Sequence, residues 1–249
     1  MNWEETIVWL RDQKSKRDLV KDCFYDDPIV SAADRYWKSS EWDAVKKFLP
    51  RKKGNILDIG AGRGITSYAF AKDGWKVTAV EPNPGKIVGI GAIKELSKSS
   101  GISITVCNKW GEKLPFEDLS FDVVFVREVL HHAKDLDKFC KEMCRVLKKG
   151  GTFIAIREHV VNNEADLRIF LKKHPLHKLY GGENAYKLNV YIDAIEKAGV
   201  RLTSILNPLE SDINLYPRKN SFIPVTIMSF IGSLINYPGR LYSFIGRKK

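Results

Sequence analysis

From about residue 55 onward the chain alternates short apolar runs with amphipathic stretches of helical period. Residues 55–59, 77–80, 102–107, 121–126 and 152–156 read as strands. Residues 64–72, 84–98 and 135–147 read as helices between them. In the last of these, Leu136, Phe139, Cys140, Met143 and Leu147 fall on one helical face, and Gly150 and Gly151 end the pattern. Strands that are apolar throughout and alternate with helices predict a parallel sheet covered on both faces. With right-handed crossovers this is an α/β, doubly wound, mostly parallel sheet that binds ligands at the carboxyl ends of its strands.

The flanks follow a different rhythm. Residues 3–23 and 31–49 predict two helices broken at Asp26-Asp27-Pro28. The second carries Tyr36, Trp37, Trp42, Val45, Phe48 and Leu49 as an apolar stripe before Pro50. After the fifth strand, 165–173 and 186–198 read as helices, Leu188, Tyr191, Ile192 and Ile195 sharing a face of the second, and 200–206 as a sixth strand. Beyond Pro208 no strand is expected. The predicted organisation is an N-terminal helical lid (1–50), a core (51–207, with an insertion at about 158–187) and a hydrophobic, basic, helical C-terminal extension (208–249). Edge packing on the sheet is an equally good reading of the N-terminal helices, which bring Arg35, Glu41 and Trp42 beside Tyr36.

Composition narrows the picture. A chain of 249 residues with 44% hydrophobic positions can fill one substantial core. The four cysteines form no CxxC pair, and Cys140 and Cys144 share a helix face, so they read as reduced, buried thiols in a cytoplasmic protein. The N-terminus is rich in acids and has no secretory signal pattern. The apolar stretch 222–235 is shorter than the ~20 residues that span a bilayer and contains Pro224 and Gly232. The net charge of +11 is uneven: no acid follows Asp212, yet Arg218, Lys219, Arg240, Arg247, Lys248 and Lys249 do. That tail, 222–249, suits peripheral contact with the inner face of an anionic membrane, or else a hydrophobic arm packed on its own core or on a second subunit of a homodimer. Packing is the favoured of the two. Without aromatic-basic stacking surfaces elsewhere, nucleic acid is not expected.

The chemistry is concentrated in ILDIGAGRG, residues 56–64. Gly60, Gly62 and Gly64 stand where the first strand turns into the first helix, with Ala61 between them. Glycines there allow positive φ and close ligand approach, and a helix start offers free N–H groups. Asp58, just before the turn, is positioned for the ammonium of an amino-acid ligand. Glu81, ending the second strand, is positioned for both ribose hydroxyls. A nicotinamide enzyme would also use Glu81, but Ile65 stands where its fingerprint has a third glycine.

ILDIGAGRG, VTAVEPNP, GEKLPFEDLSFDVVFVREVLHH and RVLKKGGTFIAI occur in that order over residues 53–157. In these blocks the chain resembles the class I S-adenosylmethionine-dependent methyltransferases, specifically the type 11 methyltransferase domain. The resemblance implies S-adenosyl-L-methionine as cofactor and S-adenosyl-L-homocysteine as product. It implies cofactor contacts from Asp58, Gly60, Gly62 and Glu81, with Pro82 and Asn83 following in the same loop. Gly111 and Glu112 would lie along the adenine, and the Arg127-Glu128 turn near the transferred methyl group. Where many relatives have an aspartate ahead of the LPF triplet, this chain has Trp110. Its indole either stacks on adenine or is a core aromatic.

Methyl transfer to oxygen benefits from a base near neutrality, so His131, His132 and His159, each just past a strand end, are the catalytic candidates, with Glu128 beside them. A core or capping role is the alternative for the adjacent pair. The segment containing His174, His177, Tyr180, Glu183, Asn184 and Tyr186 reads as an acceptor pocket. A zinc site from His159, His174 and His177 is not supported by their spacing, and no metal is expected. The expected activity is methylation of a small molecule, glycan or lipid-linked saccharide, on oxygen before nitrogen or carbon. The alternatives are a non-catalytic S-adenosylmethionine-binding or scaffold protein on the same fold and, behind it, an NAD(P)-dependent oxidoreductase.

Overall fold

The computed structural model describes residues 1–215, 217 and 238–249. The N-terminal fifty residues form four α-helices where the pattern predicted two: α1 (Trp3–Asp12), α2 (Arg17–Asp22), α3 (Ile29–Trp37) and α4 (Ser40–Lys46), with a 3-10 turn, Lys14–Lys16, between the first two. The extra break after α3 comes from Ser39, whose hydroxyl accepts from the Trp42 amide (3.1 Å) and starts a new helix. α1 begins on a reciprocal cap in which Asn2 and Glu5 each accept from the other's amide at 2.9 Å.

The core then runs β1 (Asn55–Ile59), α5 (Ile65–Lys72), β2 (Lys76–Val80), α6 (Ile90–Ser100), β3 (Thr105–Cys107), β4 (Phe121–Arg127), α7 (Leu136–Val146), β5 (Leu147–Val160), α8 (Glu164–Lys173), α9 (Leu188–Lys197), β6 (Val200–Leu206), α10 (Asp212–Leu215) and β7 (Arg240–Lys248). The seven strands lie in the order β3-β2-β1-β4-β5-β7-β6. The first five are parallel, and β7 runs antiparallel to both of its neighbours. Alternate strand residues feed opposite faces. Ile56, Val123 and Phe125 pack with Tyr36, Trp42 and Phe70 on one side. Leu57, Val124 and Val126 pack with Met143 of α7 and Tyr191 of α9 on the other.

α3 and α4 belong to the first of these faces. Tyr36 and Trp42 are completely buried, and the indoles of Trp37 and Trp42 both donate to the Asp73 carboxylate at the end of α5 (2.7 and 3.0 Å). Each such buried side chain contributes about 1.5–3 kcal/mol, so this helix pair is sheet packing. α1 and α2 are the covering pair, anchored by Glu4, which accepts from the Ile87 amide at 2.7 Å.

The expectation of a strandless, helical C-terminal extension is corrected by β7, which lies inside the sheet. Tyr242 and Phe244 pack on the α7–α9 face. The basic end is tied to backbone: Lys248 donates to the carbonyls of Cys144 (2.7 Å) and Leu147 (2.9 Å) at the end of α7, where a cation complements the helix dipole. Arg247 donates to Thr152 at 2.7 Å. Residues 240–248 are therefore not a membrane-lying arm. The remainder of the tail, 222–237, lies outside the described residues. Among the described residues, no helix is long and apolar enough to cross a membrane.

Candidate active site

At the β1/β4 switch point, the carboxyl ends of the strands open into a cavity of about 780 Å³. Its floor at one end is the β1–α5 turn. Gly60 and Gly62 take φ of 70° and 54°, and a Cβ on Gly60 would fall 2.5 Å from Val129, so only glycine fits. A Cβ on Gly62 would meet nothing within 4 Å, leaving its backbone open to the cavity. Ala61 lines the same floor. Glu81 accepts from the Gly62 amide through Oε2 (2.8 Å) and from the Asn83 amide through Oε1 (2.9 Å), which aims the carboxylate at the cavity and leaves further lone pairs on both oxygens. Burial raises its pKa, opposed by those two amides. Pro82 and Asn83 continue this wall, and Trp110, Gly111 and Glu112 also line the cavity. Trp110 is 64% exposed, which removes the core-aromatic reading of this residue.

Two expected cofactor residues stand behind this surface rather than on it. Asp58 is buried, and its Oδ2 accepts from the hydroxyls of Thr66 and Ser67, both at 2.6 Å. It therefore fixes the first turn of α5 from below instead of facing a ligand ammonium. Burial pushes its pKa up to about 6 against those hydrogen bonds. Gly64 starts α5 in a left-handed conformation and packs toward Ile93.

The middle of the cavity is a charged lattice. Arg127 donates to Glu41 through Nε (2.7 Å) and Nη2 (3.1 Å), and to Glu128 through Nη1 (3.2 Å). Arg157 donates to Glu128 through Nε at 2.6 Å. Glu128 and Arg157 both hold positive φ, 57° and 61°, a strained conformation for such residues. Burial pushes the Glu128 pKa up, but the two guanidiniums outweigh it and hold the carboxyl well below its usual range. Both Glu128 oxygens are thus paired with guanidiniums, Oε1 with Arg157 and Oε2 with Arg127, which speaks against the base role expected of it. Tyr36, expected at the acceptor, instead donates its buried hydroxyl to Glu41 at 3.1 Å and does not line the cavity.

The inner end gathers four of the five histidines. His131 sits on the 3-10 turn after β4, Leu130–His132, with Nδ1 2.7 Å from Glu158. Glu158, wholly buried on β5, also accepts from the amides of Val129, Leu130 and His131, each at 3.1 Å. His132 Nδ1 lies 3.0 Å from the Gly182 carbonyl, and His159 Nδ1 3.0 Å from the Gly239 carbonyl. Glu183 reaches in from the insertion, 3.6 Å from His131 Nε2 and 3.9 Å from His132 Nε2 and His174 Nδ1. Burial lowers the pKa of His159 to about 4. Burial also works against a charged His131, but Glu158 and Glu183 prevail and raise it to about 9.

Of the acceptor-pocket expectations, His174, Tyr180 and Glu183 line the cavity. His177, Asn184 and Tyr186 do not, and Tyr186 donates its hydroxyl to the Ala133 carbonyl (2.8 Å) as a loop tie. The pattern reading missed Trp3, Phe24 and Tyr25, which wall the cavity from the N-terminal segment, and the pair Arg157-Glu158. The signal for the pair was present: two charges in an apolar run that is otherwise central strand.

Residues 57–155 match the methyltransferase domain family of type 11. Over 178 residues the chain is 29% identical to the ubiquinone biosynthesis O-methyltransferase of Rhizobium leguminosarum bv. trifolii, covering 68% of this chain and 69% of that one. It is 28% identical over 159 residues to the ubiquinone/menaquinone biosynthesis C-methyltransferase of Brucella anthropi, covering 58% and 59%. A solved S-adenosylmethionine-dependent methyltransferase from Thermotoga maritima shares the fold with a TM-score of 0.60 at 22% identity, covering 99% of this chain and all of that one. The glycine turn, the Glu81 carboxylate and the exposed indole of Trp110 suit the amino-acid, ribose and adenine parts of that cofactor. Residues 57–155 thus match this methyltransferase domain, and the chain is a methyltransferase that uses S-adenosylmethionine.

Proposed function

We propose that the enzyme methylates the hydroxyl of a small aromatic acceptor. The observation that carries this reading is the single cavity running from the Gly60–Glu81 floor to the histidine end, with Trp3, Phe24, Tyr25 and Tyr180 along its walls. Its volume is in the range of small-ligand sites, about 300–1,000 Å³, and flat aromatic walls favour a planar ring. Relatives named for ubiquinone biosynthesis, both O- and C-methylating, support an acceptor of that kind over a glycan or lipid-linked saccharide.

When bound, S-adenosylmethionine supplies an electrophilic methyl carbon on a sulfonium. The residues of the chain do the rest. Glu81 would hold the ribose hydroxyls, and the Gly60–Gly62 backbone admits the amino-acid portion. Glu128, clamped by Arg127 and Arg157, would fix the turn after β4 that faces the cavity. The aromatic walls would hold the acceptor ring in one orientation, and such positioning supplies most of the acceleration in a displacement of this kind. The bound cofactor would give its methyl group to the acceptor oxygen, the carbon–sulfur electron pair staying on sulfur. The hydroxyl proton would pass to water at the histidine end of the cavity.

The test is a radiolabelled methyl-transfer screen of purified protein against phenols, catechols and short-chain prenylated phenols, with monosaccharides as comparison. Label appearing as an aryl methyl ether supports the reading. Label only on sugars, on ring carbon or on nitrogen would replace it.

A further inference from the structure

Three imidazoles at the inner end of the cavity share one arrangement. His131, His132 and His159 each present Nδ1 to an oxygen, belonging to Glu158, Gly182 and Gly239 respectively. A carbonyl only accepts, so Nδ1 of His132 and His159 carries the hydrogen, and in the neutral ring Nε2 then keeps its lone pair. Outer-sphere oxygens that fix the tautomer and orient the free nitrogen are the usual supports of metal-binding histidines. His131, His159 and Glu183 offer ligand atoms that all lie within 4.8 Å of one another. His131 Nε2 lies 3.6 Å from Glu183, near the about 3.3–3.4 Å that separates ligands set at about 2.0–2.1 Å around a tetrahedral zinc ion.

The charges point the same way. With His131 neutral, its Nε2 lone pair would oppose the Glu183 carboxylate across 3.6 Å, an arrangement that needs a positive centre between them. A proton on His131 supplies one charge against two buried carboxylates, Glu158 and Glu183. The neighbouring lattice contributes nothing to this sum, since Arg127 and Arg157 are matched by Glu41 and Glu128. A divalent ion replacing that proton balances both carboxylates.

We propose that His131, His159 and Glu183 form a divalent-metal site, with His174 and His132 at its edge and Glu158 and the Gly239 carbonyl as its outer support. Two imidazoles and one carboxylate suit zinc, and also cobalt or iron(II). Three protein ligands leave a position facing the cavity. This inference rests on the reading of an oxygen acceptor: the open position takes the acceptor hydroxyl and lowers its pKa, its proton passing to solvent. Neither the glycine turn nor Glu81 takes part, so the metal site and the cofactor site are separately testable.

Untagged protein is stripped with chelator and titrated with Co²⁺, read by d–d absorption in the visible, and with Zn²⁺ by calorimetry. Wild type should bind one equivalent of each, with the strong absorption of low-coordinate cobalt. Glu183→Gln and His159→Ala should lose at least about tenfold in affinity, and Glu158→Gln about 10–100-fold through the outer sphere. Melting temperature and S-adenosylhomocysteine binding are followed in every variant to separate unfolding from ligand loss. No saturable binding in folded wild type, or equal binding in Glu183→Gln, overturns the site and leaves His131 as an imidazolium between two carboxylates. Metal binding without methylation of any phenol would keep the site and overturn the acceptor instead. Phenol methylation by metal-free enzyme at an unchanged rate overturns the metal's role in activation.

Discussion

Glu41 and Arg127 stand 86 positions apart and meet in a two-point ion pair, Nε to Oε1 at 2.7 Å and Nη2 to Oε2 at 3.1 Å, with the carboxylate fully buried. The pair joins α4 to the carboxyl end of β4, where Arg127 turns toward Glu128 and the cavity. The α3–α4 helix pair and the charged part of the cavity wall are thereby one electrostatic unit. Neutralising Glu41 leaves Arg127 short of a partner in a buried place, a change that costs about 3–5 kcal/mol. Glu41→Gln should lose that much in chemical denaturation, and the double variant with Arg127→Met should recover part of it. A loss of under about 1 kcal/mol would mean that solvent or Glu128 compensates the arginine.

Gly60 offers a second test of the turn. Alanine there adopts a left-handed φ, costing about 1–2 kcal/mol, and meets Val129 at 2.5 Å. Gly60→Ala should lower the melting temperature and weaken S-adenosylhomocysteine binding together. Paired with Val129→Ala, which removes the obstruction, part of the stability should return. If the single variant matches wild type in both readouts, the turn is looser than described.

Asp58 gives the chain a specific pH dependence. Its folded pKa, pushed up to about 6 by burial, lies above the ordinary 3.8. The folded state therefore binds the proton more tightly, and the stabilisation this provides is complete below the unfolded pKa and is lost as pH rises through the folded one. From pH 4.5 to 7 the loss is about 2 kcal/mol. Asp58→Asn has no proton to lose. The stability difference between wild type and variant should move against wild type by that amount over this interval, and a difference that stays flat would place the Asp58 pKa near its ordinary value.

Much of this was legible in the sequence, and the exceptions have physical reasons. The glycine turn, Glu81 and the strand ends were readable because a parallel sheet leaves continuous apolar runs with chemistry only at their carboxyl ends. β7 was not, since Leu241, Tyr242, Phe244 and Ile245 followed a long apolar segment and its bracketing cations looked solvated, whereas Lys248 caps α7. Tyr36 was misjudged because an aromatic in a helix stripe has the same pattern whether it faces a core or a ligand. Asp58 was read as facing the cavity because spacing fixes the strand position and not the hydroxyls of Thr66 and Ser67 that claim its carboxylate. The histidine cluster joins β4, β5 and the insertion, three segments whose proximity no local spacing encodes.

The N-terminal cover bears on acceptor specificity. The Trp3 ring lies 5.0 Å from Tyr180 and 5.9 Å from Tyr25, bridging α1, the insertion and the loop after α2. Each aromatic pair contributes about 0.5–1.5 kcal/mol. Trp3→Ala should raise KM for the acceptor about tenfold while the Kd for S-adenosylhomocysteine changes little. Equal weakening of both would assign α1 to the cofactor end.

The most direct test of the account is isothermal titration of the purified chain and of Glu81→Ala with S-adenosylhomocysteine, with NAD(H) as control and melting curves as a check on folding. Glu81, the residue proposed to hold the ribose, accepts from the Gly62 and Asn83 amides and lines the cavity. Wild type should bind S-adenosylhomocysteine one-to-one at micromolar concentration and give no heat with NAD(H), and a folded Glu81→Ala variant should lose most of that affinity. Unchanged affinity in that variant, or binding of NAD(H) alone, would contradict the account.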